Sequence, residues 1–258
     1  MPITDQKKYK PYIKVNDISS IGRSHRVFGH KTGRSHHLFS DLELAVFLLF
    51  EWNENVLEIN EQIELNLDET LLIANEAGIK HPTKDGNNKV MTSDFYITFY
   101  KSNRPSIAQL AIQAKYSKDL EDIRTIEKIE LERRFWKKKE IDFCIVTELD
   151  IPKTVLNNIK WLYPAKNSNL THLSFDLFEY YANQLSNYEN LTLIEFCKKC
   201  DMANNNDIGT SLSQIKALLA CNYMSFDIRK DYKKILCLDI VPVKEQYHNC
   251  IIEEMKVA

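Results

Sequence analysis

The sequence predicts a mixed α/β core over residues 1–149, followed by a smaller, mainly helical domain over residues 150–258. Three observations lead there. Between residues 41 and 147 the apolar period switches repeatedly between 3.6 and 2, in the order helix, strand, two successive strands, helix, strand. After about Ile151 the patterns turn helical until a last pair of short apolar runs. The chain has 258 residues, 44% of them hydrophobic and 27% charged, which suits one large or two modest cores.

Taken in order, residues 1–20 are polar and lysine-rich and read as an extended arm. A helix follows from Asp41 to Trp52, with Leu42, Ala45, Val46 and Leu49 on one stripe. Ser40 stands at its N-cap, and Glu43 three residues later completes a capping-box pattern. Val56–Leu65 alternates as a strand, and Leu71–Glu76 reads as a short helix ended near Gly78. Val90–Tyr100 and Ile107–Lys115 are strand patterns that a turn through Lys101–Pro105 would join as a hairpin. A long helix is expected from Leu120 to Lys139 with Ile123, Ile126, Leu131 and Phe135 inward, then a short apolar strand over Asp142–Thr147.

The second domain opens with helical patterns at Pro152–Leu162, Leu173–Leu185, Leu191–Met202 and Ser211–Cys221. Ser211-Leu-Ser-Gln214 has the form of a capping box. Tyr223–Ile228 and Ile235–Val241 read as strands around the charged turn Arg229–Lys234. Helices followed by a hairpin suggest a small winged-helix-like domain.

Composition excludes several classes. The longest apolar run, Leu44–Phe50, has seven residues, so no run approaches a membrane-spanning helix. The N-terminus lacks the charged-then-apolar layout of a secretion signal. With six glycines and no Gly-rich phosphate loop, P-loop nucleotide hydrolysis is excluded on motif grounds. Six cysteines (Cys144, Cys197, Cys200, Cys221, Cys237, Cys250) in a chain of this size read as reduced thiols of a cytoplasmic protein rather than a disulfide framework. Cys197-Lys-Lys-Cys200 has CxxC spacing but no second ligand pair follows, so two thiols one helical turn apart is the plainer reading against zinc. The net charge is −2, yet residues 1–40 carry eight Lys/Arg against two Asp. Such asymmetry can give a near-neutral protein one nucleic-acid face.

Chemistry concentrates at a few residues. Asp94 heads the strand pattern Met-Thr-Ser-Asp-Phe-Tyr-Ile. Gln113 and Lys115, two apart in Leu-Ala-Ile-Gln-Ala-Lys, share one face of the next strand. A carboxylate and a neutral oxygen can hold Mg²⁺, and an adjacent lysine can orient water or offset phosphate charge. Taken alone, each residue also has an ordinary reading as a strand terminus or a solvated strand position, and Glu43 reads first as a helix cap. Asp41 lies about 200° around the helix from Glu43 and should not share a site with it. Arg23, His25, Arg26, His30, Lys31, Arg34, His36 and His37 make a basic strip suited to phosphate contact, with a solvated loop or a zinc site as alternatives. Lys80 and His81 are weaker candidates for the same role. Arg133, Arg134 and Lys137–Lys139 close the long helix, where cations offset the macrodipole. Lys230, Lys233 and Lys234 suit either a DNA wing or a hydrophilic turn.

Longer motifs sharpen this. Residues 22–47 (Gly-Arg-Ser-His-Arg-Val-Phe-Gly-His-Lys-Thr-Gly-Arg-Ser-His-His-Leu-Phe-Ser-Asp-Leu-Glu-Leu-Ala-Val-Phe), Gly-Ile-Lys-His-Pro (78–82), Met-Thr-Ser-Asp-Phe (91–95) and Thr-Ile-Glu-Lys-Ile-Glu-Leu-Glu-Arg-Arg-Phe-Trp (125–136) closely resemble the TnsA family, from about Tyr12 to about Val241. The resemblance implies a restriction-endonuclease-like core and a Mg²⁺-dependent DNA endonuclease cutting the 5′ ends of a transposon in cut-and-paste transposition. It implies Glu43, Asp94, Gln113 and Lys115 as catalytic residues. Metal would be held by Glu43, Asp94, Gln113 and the Ala114 carbonyl; one or two Mg²⁺ ions bind, and Mn²⁺ can replace them. Gln113 stands where most enzymes of that superfamily carry an acid. An amide oxygen is a poorer ligand, so the empty site is expected to bind metal weakly until a DNA phosphate completes it. Implied partners are double-stranded transposon-end DNA, a TnsB-like transposase that cuts the 3′ side and a TnsC-like ATPase regulator, with cytoplasmic, nucleoid-associated action. Two rival readings remain at this point: a stand-alone restriction or junction-resolving nuclease, and a non-catalytic DNA-binding adaptor on a decayed core.

Overall fold

The computed structural model describes residues 9–17, 23–101, 106–166 and 175–243. The chain divides between Ile151 and Pro152 into two compact units. Most of residues 1–20, the tip 102–105 of the expected hairpin, residues 173–174 of an expected helix and Cys250 lie outside the described residues.

Unit 1 opens with strands β1 (His25–Gly29) and β2 (Arg34–Leu38), paired antiparallel from His25↔Leu38 to Gly29↔Arg34. The basic strip is therefore a β-hairpin rather than a loop, turned through Gly33 at φ 64°. Helix α1 (Asp41–Trp52) follows, with Ser40 accepting from the Glu43 N–H, then β3 (Val56–Glu64). Helix α2 (Leu67–Ala77) is longer than the apolar pair Leu71–Leu72 suggests. Asn66 caps it by accepting from the Glu69 N–H, and Gly78 ends it at φ 65°, a left-handed position open to glycine. The two-residue strands β4 (Thr83–Lys84) and β5 (Asn87–Asn88) flank Asp85-Gly86, both at positive φ, as a tight hairpin turn requires.

Strands β6 (Thr92–Tyr100) and β7 (Ile107–Ala114) pair antiparallel, and helix α3 (Ile123–Lys138) leads to β8 (Asp142–Val146), which lies parallel to β7. The sheet order is β3-β6-β7-β8. A parallel neighbour needs a crossover long enough to return the chain, and α3 supplies it. Tyr96 and Ala111 face α2 and α3 in one apolar cluster with Ile73, Leu131, Phe135 and Trp136. Alternation sends the buried Phe95, Ile97 and Ile112 to the opposite face. Ile123 and Ile126, expected inward, are 76% and 50% exposed. They lie about 180° and 120° around the helix from the buried Glu132, because the buried stripe of α3 begins only at Ile129.

Unit 2 contains α4 (Lys153–Leu162), α5 (Phe175–Leu185), α6 (Leu193–Ala203) and α7 (Thr210–Ala220), packed on Tyr181, Phe196, Ile215 and Leu218. The expected terminal hairpin is reduced to two-residue strands β9 (Met224–Ser225) and β10 (Val241–Pro242). The reason is competition for backbone groups. Buried Asn158 of α4 donates to the carbonyls of Ile228 and Lys230 and accepts from the Tyr232 N–H. Asp227 and Asp231 accept from the backbone of Arg229 and Lys233. Groups that a longer ladder would pair are thereby taken. Helix α7 is not opened by a Ser211 capping box: Gly209 is its N-cap, and Asp201 of α6 accepts from the Gly209 and Ser211 N–H groups. A capping box does form at Thr192 with Glu195, on α6. Cys197, Cys200 and Cys237 are buried, and burial pushes their thiols up, Cys237 to about 11. Among the described residues no helix is long and apolar enough to cross a membrane.

Candidate active site

The start of α1 and the middle of the sheet converge on one carboxylate pair. Glu43 Oε2 accepts from the Phe39 N–H at 2.9 Å and its Oε1 from the Ser40 hydroxyl at 3.0 Å. The helix cap is therefore also the clamp that aims this side chain. Asp94 Oδ2 accepts from the Ala114 N–H at 2.8 Å, so the contact with Ala114 runs through its amide nitrogen. Between them stands Gln62, whose Nε2 donates to Glu43 Oε2 at 3.3 Å and to Asp94 Oδ1 at 3.4 Å. The two facing oxygens lie no farther apart than those two distances together. Burial, then the charge of Asp94, raises Glu43 to about 8. Burial also raises Asp94, against the opposing pull of Lys115, the Ala114 N–H and Gln62.

The sheet register lines up the neighbours. Glu61 pairs with Phe95 and Ile63 with Ser93, which flank Gln62 and Asp94; Phe95 pairs with Ile112, next to Gln113. Gln62, Asp94 and Gln113 thus occupy one row across three strands. Gln113 is buried, and its Oε1 has no hydrogen-bond partner. Lys115 follows it, acting electrostatically on Glu43, Asp94 and Glu132.

Two residues and one cleft here go beyond what was expected from sequence. Glu132 of α3 is fully buried; burial raises its carboxyl well above the usual range, opposed by a hydrogen bond from the Ser93 hydroxyl. Ser93 Oγ in turn accepts from Trp136 Nε1 at 2.7 Å. The one signal in the chain was an acid on the apolar stripe of α3, three residues after Ile129 and four before Trp136. Gln62 gave no sequence signal, since only pairing shows what it faces. Finally, a cleft of about 530 Å³ is lined by Gln113, Lys115 and Glu132 together with Lys80, Lys89, Arg124 and Lys128. Five cations against one buried acid make a positive channel, suited to a phosphate backbone.

The donor set suits a hard cation. Two facing carboxylate oxygens and an orphaned amide oxygen are the oxygen ligands that Mg²⁺ prefers, and a buried acceptor without a partner is itself costly. Among the described residues no group of three or more His, Cys, Asp or Glu could hold a metal. Coordination here would therefore depend on Gln113, backbone oxygen, water or phosphate beside the carboxylate pair.

The basic strip divides on inspection. Arg34 and His36, expected on DNA, turn inward instead. Arg34 donates to both Glu61 oxygens at 2.8 and 2.7 Å, and His36 Nδ1 lies 2.7 Å from Glu61 Oε2 while its Nε2 meets Thr32 Oγ1 at 2.7 Å. Alternation along β2 sends both side chains toward β3, where a buried carboxylate needs partners. His81 is likewise buried, between Thr70 Oγ1 and the Pro82 carbonyl. His37 is half-buried, accepting from the Val15 N–H, and burial lowers its pKa. His25 pairs with Asp41 at 2.7 Å on the surface. Arg23 and Arg26 are exposed, Arg26 donating to Asn16. His30 packs edge-on against Phe28, and the Lys31 N–H donates to Glu51. Lys80 reaches the cleft.

Comparison with known proteins gives two family matches. Residues 53–148 match the TnsA-like endonuclease N-terminal model, and residues 150–228 match the TnsA endonuclease C-terminal model. The chain is 41% identical over 234 residues to the transposon Tn7 transposition protein TnsA of Escherichia coli, covering 91% of this chain and 85% of that protein.

Proposed function

The chain belongs to the TnsA endonuclease family, and on that basis we propose that it is the DNA-cutting subunit of a transposition system, hydrolysing one phosphodiester at the 5′ side of each transposon end. The observation that carries the reading is the facing pair Glu43 and Asp94, bridged by one amide, in the unit whose cation-lined cleft holds Gln113 and Lys115. Glu43, Asp94 and Gln113, with the Ala114 carbonyl, would hold Mg²⁺, or Mn²⁺ in its place. When bound, such an ion would supply a nucleophilic water at neutral pH and charge stabilisation at phosphorus. Lys115 orients the attacking water and offsets charge on the pentacovalent phosphate. Burial raises the Glu132 carboxyl, so it opposes the incoming backbone less than an exposed glutamate would. Lys80, Lys89, Arg124 and Lys128 hold the phosphates on either side of the scissile one.

Unit 2, a winged-helix-like assembly of helices with a short ladder, serves mainly protein contact. A TnsB-like transposase that cuts the 3′ strand and a TnsC-like ATPase regulator are its partners, in the cytoplasm. The decisive experiment is strand-specific cleavage of a transposon-end duplex with all subunits present. Asp94→Ala should abolish 5′ cleavage and leave 3′ cleavage and partner binding intact, since it removes a ligand and little packing. Normal 5′ cutting by this variant would overturn the reading.

A further inference from the structure

Gln62 lies within β3 at φ 52°, a left-handed conformation that an L side chain adopts rarely, while its neighbours keep their register with β6. Strain of this kind persists only where the surroundings impose it. The side chain is buried, and every polar atom of its amide is used. Nε2 donates to Glu43 Oε2 and Asp94 Oδ1, and Oε1 accepts from Thr92 Oγ1 at 3.3 Å. We propose that Gln62 is a positioning residue that sets the spacing of Glu43 and Asp94 before a divalent cation arrives, and that Thr92 orients its amide for the task.

The chemistry favours an amide at this place. Two buried carboxylates facing each other need a donor between them. A lysine would satisfy both but would compete with the cation by charge. Serine is too short to bridge them, and asparagine is one methylene shorter than the side chain that does. A neutral amide donates one proton to each acid and leaves lone pairs for a metal. Hydrogen-bond partners of metal-binding carboxylates are typically worth about 10–100-fold in metal affinity.

This inference rests on the cation site proposed above, and its test separates the two. Mn²⁺ would be titrated into the DNA-free full-length protein to concentrations that saturate a weak site, with free Mn²⁺ followed by electron paramagnetic resonance and folding followed by thermal melting. Compared with wild type would be Asp94→Ala, Gln62→Leu, Gln62→Gly and Thr92→Val. Gln62→Leu and Gln62→Gly should each bind Mn²⁺ about 10-fold or more weakly, although glycine accepts the left-handed backbone and leucine does not. Agreement between these two variants points to the amide rather than to backbone strain. Thr92→Val, which leaves Gln62 in place, should show a smaller loss in the same direction, and it carries the test should a Gln62 variant fail to melt cooperatively. Wild-type affinity in folded Gln62→Leu, with Asp94→Ala deficient, would overturn the role of Gln62 alone. Mn²⁺ binding indifferent to Asp94→Ala would overturn the cation site and this inference with it.

Discussion

Glu61 shows how one residue can organise a hairpin. Burial by itself would raise its carboxyl, but hydrogen bonds from His36 and Arg34 reverse that and hold it at about 2. A folded-state value below the ordinary glutamate value means that the carboxylate contributes stability fully above about 4.5, and that this contribution is lost as pH falls through about 2. Denaturant unfolding between pH 6 and 2 should therefore show stability falling with acid, and Glu61→Gln should flatten that profile while lowering stability at neutral pH. An unchanged profile would mean that the network does not hold the charge. Arg34→Ala belongs with it: a buried carboxylate losing its bidentate partner should cost ~3 kcal/mol or more. That loss would appear in melting of the free protein, not in the salt dependence of DNA binding.

At the scale of elements, the β1–β2 hairpin depends on one close approach. A Cβ built on Gly29 would meet His36 Nε2 at 2.6 Å and Thr32 Oγ1 at 2.6 Å. Both belong to the buried chain leading to Glu61, so neither can swing away freely. Gly29→Ala should destabilise the protein by ~1–3 kcal/mol through overpacking, read as a lower denaturation midpoint with unchanged m-value. Gly33→Ala, on the exposed turn, tests a different cause: its φ of 64° disfavours alanine by strain alone, so the expected cost is ~1 kcal/mol. Helix α3 makes the complementary point. Its buried stripe carries an acid, Glu132, held by the Ser93 hydroxyl, to which Trp136 Nε1 in turn donates, so the helix that packs the core also delivers a group to the cleft.

For the molecule as a whole, net charge hides a strongly uneven distribution. The chain totals −2, yet the cleft of unit 1 gathers five cations from α3, the end of β7, the 79–82 turn and the segment after β5. Lys89→Glu with Lys128→Glu should weaken duplex binding and reduce the steepness of its salt dependence by about 1 for each phosphate no longer neutralised. Salt-titrated binding of a transposon-end duplex to catalytically dead protein checks this; an unchanged slope would place the DNA elsewhere. The two units should also separate by role. A chain ending after Glu148 should lose capture of the ATPase regulator in a pull-down, whereas the Lys89 and Lys128 changes should leave that capture intact.

The local grammar of the chain was legible before folding. Ser40 and Glu43 capping α1, period-2 alternation in β3, β6 and β7, and the helical character beyond Ile151 depend on neighbours a few residues away, and such patterns are written contiguously. The shared face of Gln113 and Lys115 is equally local, since strand geometry alone imposes it. Motif resemblance extended this to Glu43 and Asp94. Tertiary structure settled which side chains meet across the sheet and which cations are left for a ligand. Arg34 and Lys89 look alike in sequence, yet one neutralises buried Glu61 while the other lines the cleft. Gln62 becomes visible only when β3 is registered against β6, and the acid on the α3 stripe, Glu132, finds its place only when α3 is laid on the sheet. The C-terminal hairpin shortened because Asn158, some 70 residues away, claimed its backbone groups. In each case the deciding partner is distant in the chain, and burial, which sets the energetic stakes for charged and polar groups, exists only once the chain has folded.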